Sequence, residues 1–112
     1  MAYNFLSNIS DFDNFSNPDD AYQEVSVGEE INFIDNNNIP HTSSFLMIRA
    51  HESNDLLIQL LPWGYGVYIP ANEMWSAESL DNVEGIIVKK SFASSTLGES
   101  SLAKIQWMIG YK

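Results

Sequence analysis

From residue 21 to residue 112 short apolar runs alternate with polar positions, and turn residues separate them at spacings of about ten residues. Alternation of this period places successive side chains on opposite faces of a pleated strand. A first strand is expected over 21–27, alternating towards Val25 and Val27 and ended by Gly28. A second is expected over 29–35, with Ile31 and Phe33 on one face, before the Asn36-Asn37-Asn38 and Pro40 loop. The strongest pairing signal follows: 44–50 and 55–61 are strand-length apolar runs joined by His51-Glu52-Ser53-Asn54, which reads as a hairpin. In it Leu46 and Ile48 face Leu56, Ile58 and Leu60, and Gln59 points outward.

Pro62-Trp63-Gly64 then turns the chain into an aromatic, β-branched run over 65–69, which Pro70-Ala71-Asn72 breaks. Further strands are expected over 73–78 around Trp75, over 85–92 with Ile86 and Val88 on one face, and over 103–111 with Ile105, Trp107, Ile109 and Tyr111 in alternation. A Ser/Gly loop covers 94–101. Seven or eight such strands predict an all-β fold, an antiparallel β-sandwich of immunoglobulin-like or jelly-roll-like type.

Residues 1–20 break the pattern. They are rich in Asn, Ser and Asp yet hold Tyr3, Phe5, Leu6, Ile9, Phe12 and Phe15. Phe5, Ile9 and Phe12 have helical spacing, but Asn, Ser and Asp are poor in helix interiors, so an extended arm is expected ahead of a sandwich domain over 21–112. A solvated linker has little use for these apolar side chains, which makes them the candidate partner-binding residues.

Composition narrows the function. The 112 residues carry 15 Asp and Glu against 5 Lys and Arg, a net charge of −10. Eight of the acids precede the first cation, Arg49. Affinity for nucleic acid comes from cations displacing counterions from phosphate, and no basic stripe can be built here. No apolar run reaches the length of a membrane span, and the first residues lack the basic and apolar regions of a secretory signal, so synthesis in a host cytoplasm is expected and no membrane contact. With no cysteine there is neither a disulfide framework nor a thiolate metal site.

Candidate chemistry is sparse. The acidic stretch 11–20 lacks the ligand pattern of a calcium loop, with Phe15, Ser16 and Tyr22 at three of its required positions. His41 and His51 fall in or beside loops without the close-spaced ligands of a zinc site. There is no nucleophile elbow and no phosphate-cradling glycine loop, and a glycosidase-like pair such as Glu73 and Glu78 would need a cleft this short chain has little material to build. No catalytic residue, metal or cofactor is therefore assigned. Trp63, Tyr65, Tyr68 and Trp75 cluster in sequence and are candidate glycan-stacking or interface aromatics.

The run Val67-Tyr68-Ile69-Pro70-Ala71-Asn72-Glu73-Met74-Trp75-Ser76, then Leu80, then Gly85-Ile86-Ile87-Val88-Lys89-Lys90-Ser91, and the closing Ile105-Gln106-Trp107-Met108-Ile109-Gly110-Tyr111 resemble small β-sandwich virion proteins of tailed bacteriophages. That class includes capsid decoration proteins, head fibres and tail accessory modules, and the resemblance covers about 44–112. It implies a non-enzymatic structural protein located in the virion. Its partners would be the major capsid protein or another virion protein, together with further copies of itself. A tail or baseplate accessory protein and a carbohydrate-binding adhesin module are the alternative expectations.

Overall fold

In a computed structural model of the chain, residues 4–8, 22–28, 31–93, 98–99 and 102–112 are described. They form an antiparallel β-sandwich of nine strands and one helical turn: β1 (Asn4–Ser7), β2 (Gln23–Ser26), α1 (Phe33–Asn36), β3 (Ser43–Ala50), β4 (Asn54–Leu61), β5 (Tyr65–Ile69), β6 (Met74–Ala77), β7 (Gly85–Ala93), β8 (Gly98–Glu99) and β9 (Leu102–Tyr111). Sheet A runs β6-β3-β9, with β1 and β2 both paired along the far edge of β9, and sheet B runs β5-β4-β7-β8. All pairings are antiparallel.

The core lies between the sheets, and alternation builds it. Leu46, Ile48 and Ala50 of β3 and Ile105, Trp107 and Ile109 of β9 point inward from sheet A, at 5 % exposure or less. Leu56, Ile58 and Leu60 of β4, Ile69 of β5, and Ile86 and Val88 of β7 meet them from sheet B. Gln59 faces outward, as expected.

The strands expected over 44–50 and 55–61 exist, but they do not form a hairpin. β3 is in sheet A between β9 and β6, and β4 is in sheet B between β5 and β7. Leu46 and Ile48 still face Leu56, Ile58 and Leu60, across the core rather than along one sheet. The crossover is fixed to the end of β9: His51 N–H donates to the Lys104 carbonyl at 3.1 Å, and the Asn54 side-chain oxygen accepts from Lys104 N–H at 3.1 Å. Local polar partners thus lie on sheet A, while the apolar face of β4 is left to form the opposite layer.

The strand expected over 29–35 is replaced by a helical turn. Asn32 Oδ1 accepts from Ile34 N–H at 3.0 Å, an N-cap that starts α1. The same oxygen accepts from Ile86 N–H at 3.1 Å, and Asn32 Nδ2 donates to the Glu84 carbonyl at 3.2 Å, so one amide caps α1 and ties it to β7. Gly85 permits this approach, since a Cβ there would lie 2.9 Å from Asn32 Nδ2. The helical turn closes the side of the sandwich with Phe33 and Ile34, and the Phe33 ring meets Trp107 edge-on at 5.3 Å.

Part of the segment expected as an arm is a strand. In β1, Leu6 lies opposite Ile109 and packs against the core. Beyond it, Asn8 stands in for strand backbone: its Oδ1 accepts from Trp107 N–H at 2.7 Å and its Nδ2 donates to the Ile105 carbonyl at 3.1 Å. The edge of β9 is thereby occupied in turn by β1, the Asn8 amide and β2.

A bulge corrects the face of β7. Leu57 pairs with Lys90 and Ile58 with Val88, leaving Lys89 as the extra residue. Strict alternation from Ile86 and Val88 would send the Lys90 side chain into the core. The extra residue returns Lys90 to solvent and buries Ser91 instead.

Candidate interaction surfaces

Two outer faces carry the functional candidates. On sheet A, Phe45 and Met47 of β3 and Met108 of β9, which alternate with the core positions, are also apolar. Met108 is only 8 % exposed, with Phe45 and Met47 packed on it. Met47 lies directly opposite Met108, and Phe5 of β1 meets the Phe45 ring edge-on at 5.9 Å while remaining 42 % exposed. A strip of Phe and Met thus crosses three strands on the face away from the core. Of the expected partner-binding residues, Phe5 is in this strip and Leu6 is turned inward. Tyr3, Ile9, Phe12 and Phe15 lie outside the described residues, as does the acidic stretch weighed as a calcium loop.

The four clustered aromatics do not make one platform. Trp75 is opposite Ile48, points into the sandwich and packs on the core. Trp63 and Tyr65 stack on each other, centroids 5.8 Å apart and 15° from parallel, at the turn between β4 and β5. That turn is held by Gly64, at φ 85°, where any side chain would be strained, and Gln59 Nε2 donates to the Gly64 carbonyl at 3.3 Å. Tyr68 is on the outer face of sheet B, its hydroxyl donating to Asp55 Oδ2 while Asp55 Oδ1 accepts from Ala71 N–H at 2.8 Å. Donation to the carboxylate, reinforced by the nearby negative charge, holds the Tyr68 phenol above its ordinary pKa of 10.0.

A groove of about 160 Å³ lies between β2 and α1, with Val25, Phe33 and Val88 among its lining and Gln23, Asn36 and Asn37 along its rim. Its polar groups are largely engaged. Gln23 Nε2 donates to Asn37 Oδ1 at 2.8 Å, Gln23 Oε1 accepts from the Trp107 indole at 2.9 Å, and Asn37 Nδ2 donates to the Phe33 carbonyl at 3.0 Å.

The titratable candidates are dispersed. Glu73 and Glu78 flank opposite ends of the four-residue β6. His41 Nε2 contacts Asp35 Oδ1 at 2.8 Å, with both side chains more than half exposed, an ion pair that contributes little to stability. His51 Nδ1 is engaged by Ser53, and Tyr22 meets its ring edge-on. Among the described residues no three His, Asp or Glu side chains converge as a metal site would need, and no helix is long and apolar enough to cross a membrane.

Sequence reasoning missed the Phe–Met strip, although its signal was present. Phe45-Leu46-Met47-Ile48 is apolar at both parities, the mark of a strand covered on both faces. It also missed Asn8, Asn32 and Asp55, which are ordinary loop and strand-end residues until their partners are known. No protein-family model matches this sequence, and neither a curated protein nor a solved structure is significantly similar to it.

Proposed function

We propose that this chain is a non-enzymatic structural protein of a tailed-phage virion, a capsid-bound decoration or head-fibre-type protein that acts through protein–protein contacts. The observation that carries the contact role is the set of large hydrophobic side chains left exposed, Phe5 at 42 % and Leu102 at 48 % on sheet A, and Trp63, Tyr65, Tyr68 and Met74 on or beside β5 and β6. Large apolar side chains that stay exposed together are a feature of contact surfaces. The virion setting rests on the resemblance of the strands from β3 onward to small phage sandwich proteins.

Immunogold labelling of phage particles tests this reading. Label on the head supports the decoration role, and label on the tail moves the protein to the tail or baseplate alternative. Unlabelled particles remove the virion reading. On particles that do carry the protein, Phe45→Ser with Met47→Ser should reduce occupancy by about tenfold or more, if each buried apolar side chain is worth about 1.5–3 kcal/mol.

A second reading, a glycan-binding adhesin module, is favoured by one observation: Tyr65, 61 % exposed, stacks with Trp63, and Tyr68 of the same strand is 55 % exposed. Binding on a glycan array that disappears in Tyr65→Ala and Tyr68→Ala would select it.

A further inference from the structure

Four of the six exposed large hydrophobics among the described residues gather on one side of the sandwich. Trp63, Tyr65, Tyr68 and Met74 all belong to β5, β6 or the turn before β5. These are the strands that end the two sheets on that side, β5 ending sheet B and β6 ending sheet A. The two edges are guarded differently. β6 is short and has Glu73 and Glu78 at its flanks. β5 has no charge, no proline within it and no bulge in its register with β4. An edge without these devices presents its backbone N–H and C=O groups to any strand that can reach them.

We propose that the partner of this edge is a second copy of the chain, paired antiparallel through β5 about a two-fold axis at Val67, so that the two copies of sheet B become one continuous sheet. Charge favours a like partner here. The chain as a whole carries −10, and two copies repel over most orientations, but from residue 56 to residue 72 the sequence holds no charged side chain. A strand edge paired antiparallel with itself also satisfies the self-complementarity that a two-fold interface demands.

The register fits as well. With Val67 on the axis, Tyr65 lies opposite Ile69 of the second copy and Gly66 lies opposite its Tyr68. Gly66 is the open position, since a Cβ built there meets nothing within 4 Å, so a second strand can approach it closely. The bond from the Tyr68 hydroxyl to Asp55 draws that side chain back over β4, so β5 does not cover its own edge. Gly64 and Pro70 would meet at each end of the ladder, where Pro70, lacking an N–H, stops it. A ladder of 5 residues is small beside a standard interface of about 1,600 Å², so the dimer should dissociate on dilution. This pairing does not depend on the virion reading.

Sedimentation equilibrium of the full chain should show a monomer–dimer equilibrium that tightens with added salt, which screens the repulsion between acidic copies. Gly66→Lys has room in the monomer and places cations along the edge, so it should weaken dimerisation at least tenfold, while Glu24→Lys, away from β5, should retain it. The chain has no cysteine, which allows a register test that does not depend on the lysine variant. Gly66→Cys mixed with Tyr68→Cys should give a disulfide-linked dimer under mild oxidation, and either variant alone much less. A wild-type chain that stays monomeric at its highest soluble concentration overturns the proposal. So does a mixture that cross-links no better than its components. In either case particle labelling would still stand as the separate test of the virion role.

Discussion

The indole Nε1–H of Trp107 donates to Gln23 Oε1 at 2.9 Å, joining the middle of β9 to β2 beneath the Phe33 ring. Trp107 is 5 % exposed, so its one polar atom needs a partner inside the fold, and Gln23 passes the connection on to Asn37 beside α1. Replacing the tryptophan separates packing from polarity. Trp107→Ala should destabilise the protein by about 3–5 kcal/mol in urea unfolding, through the cavity it leaves. Trp107→Phe keeps most of the ring but strands the Gln23 oxygen, and should cost about 1–3 kcal/mol. Equal losses for the two would show that the hydrogen bond dominates, and a loss below about 1 kcal/mol for Trp107→Ala would show that this face is not core.

Asn32 serves α1 and β7 with one side chain. Asn32→Ala removes the N-cap and frees the Ile86 N–H and Glu84 carbonyl together, for an expected loss of about 2–3 kcal/mol, more than a cap alone is worth. Asn32→Asp keeps the accepting oxygen but sets a second oxygen against the Glu84 carbonyl and the Asp35 carboxylate, to both of which Asn32 Nδ2 donates at 3.2 Å, so it should recover only part of that loss. Denaturant titration of both variants checks the order. If Asn32→Asp proves the more damaging, the donor side of the amide, facing Glu84 and Asp35, outweighs the cap.

The sandwich was legible because its inward positions keep period two with few interruptions. Ile105, Trp107 and Ile109 face the core as their parity requires, and so do Leu46, Ile48, Leu56, Ile58 and Leu60. Which sheet each strand joins was not legible, because the same parity lets β3 and β4 be neighbours in one sheet or opposite layers. The bonds from His51 and Asn54 to Lys104 span half the chain, beyond any local pattern. Ile31 and Phe33 read as strand for a related reason. Alternation over a few residues cannot outweigh an N-cap whose second function, the bond to Ile86, appears only when β7 is in place. The candidate surfaces divided along the same line. Exposed Tyr65 and Tyr68 were found by composition, whereas Trp75 turned inward because β6 pairs with β3 in the register that sets it opposite Ile48.

The Lys89 bulge carries a consequence for Ser91. It brings a hydroxyl into the interior at 0 % exposure, and among the described residues that oxygen has no hydrogen-bond partner. Ser91→Ala removes a desolvated polar atom and leaves the backbone unchanged, so it should be neutral or stabilise by up to about 1–2 kcal/mol. Deleting Lys89 removes the bulge but sets Lys90 next to inward-facing Val88, so Lys90 should stay outward, Ser91 should stay buried, and no comparable gain is expected. Thermal unfolding of the two variants decides, and destabilisation by Ser91→Ala would mean that the hydroxyl is satisfied.

Tyr68 supplies a pH signature of the outer face of sheet B. Its hydroxyl donates to Asp55, an interaction that only the protonated phenol can make, and the charges of Asp55 and Glu73 oppose formation of a phenolate beside them. The folded-state pKa therefore lies above the unfolded value of about 10. For a group raised in this sense, the stabilising contribution is fully present below the unfolded pKa and is lost as the pH rises through the folded one. The urea midpoint should thus be insensitive to Tyr68 ionisation at neutral pH and fall only in strongly alkaline solution. The chain has 5 tyrosines, so the titration is best followed as the difference in near-ultraviolet tyrosinate absorbance between the wild type and Tyr68→Phe. The difference curve should have its midpoint above that of free tyrosine, and Asp55→Asn should bring it down, because the amide carries no charge to oppose the phenolate. A midpoint at the free-tyrosine value in the wild type, unmoved by Asp55→Asn, would mean that Tyr68 and Asp55 are not bonded in solution. The Tyr68 side chain would then be free to swing over the edge of β5.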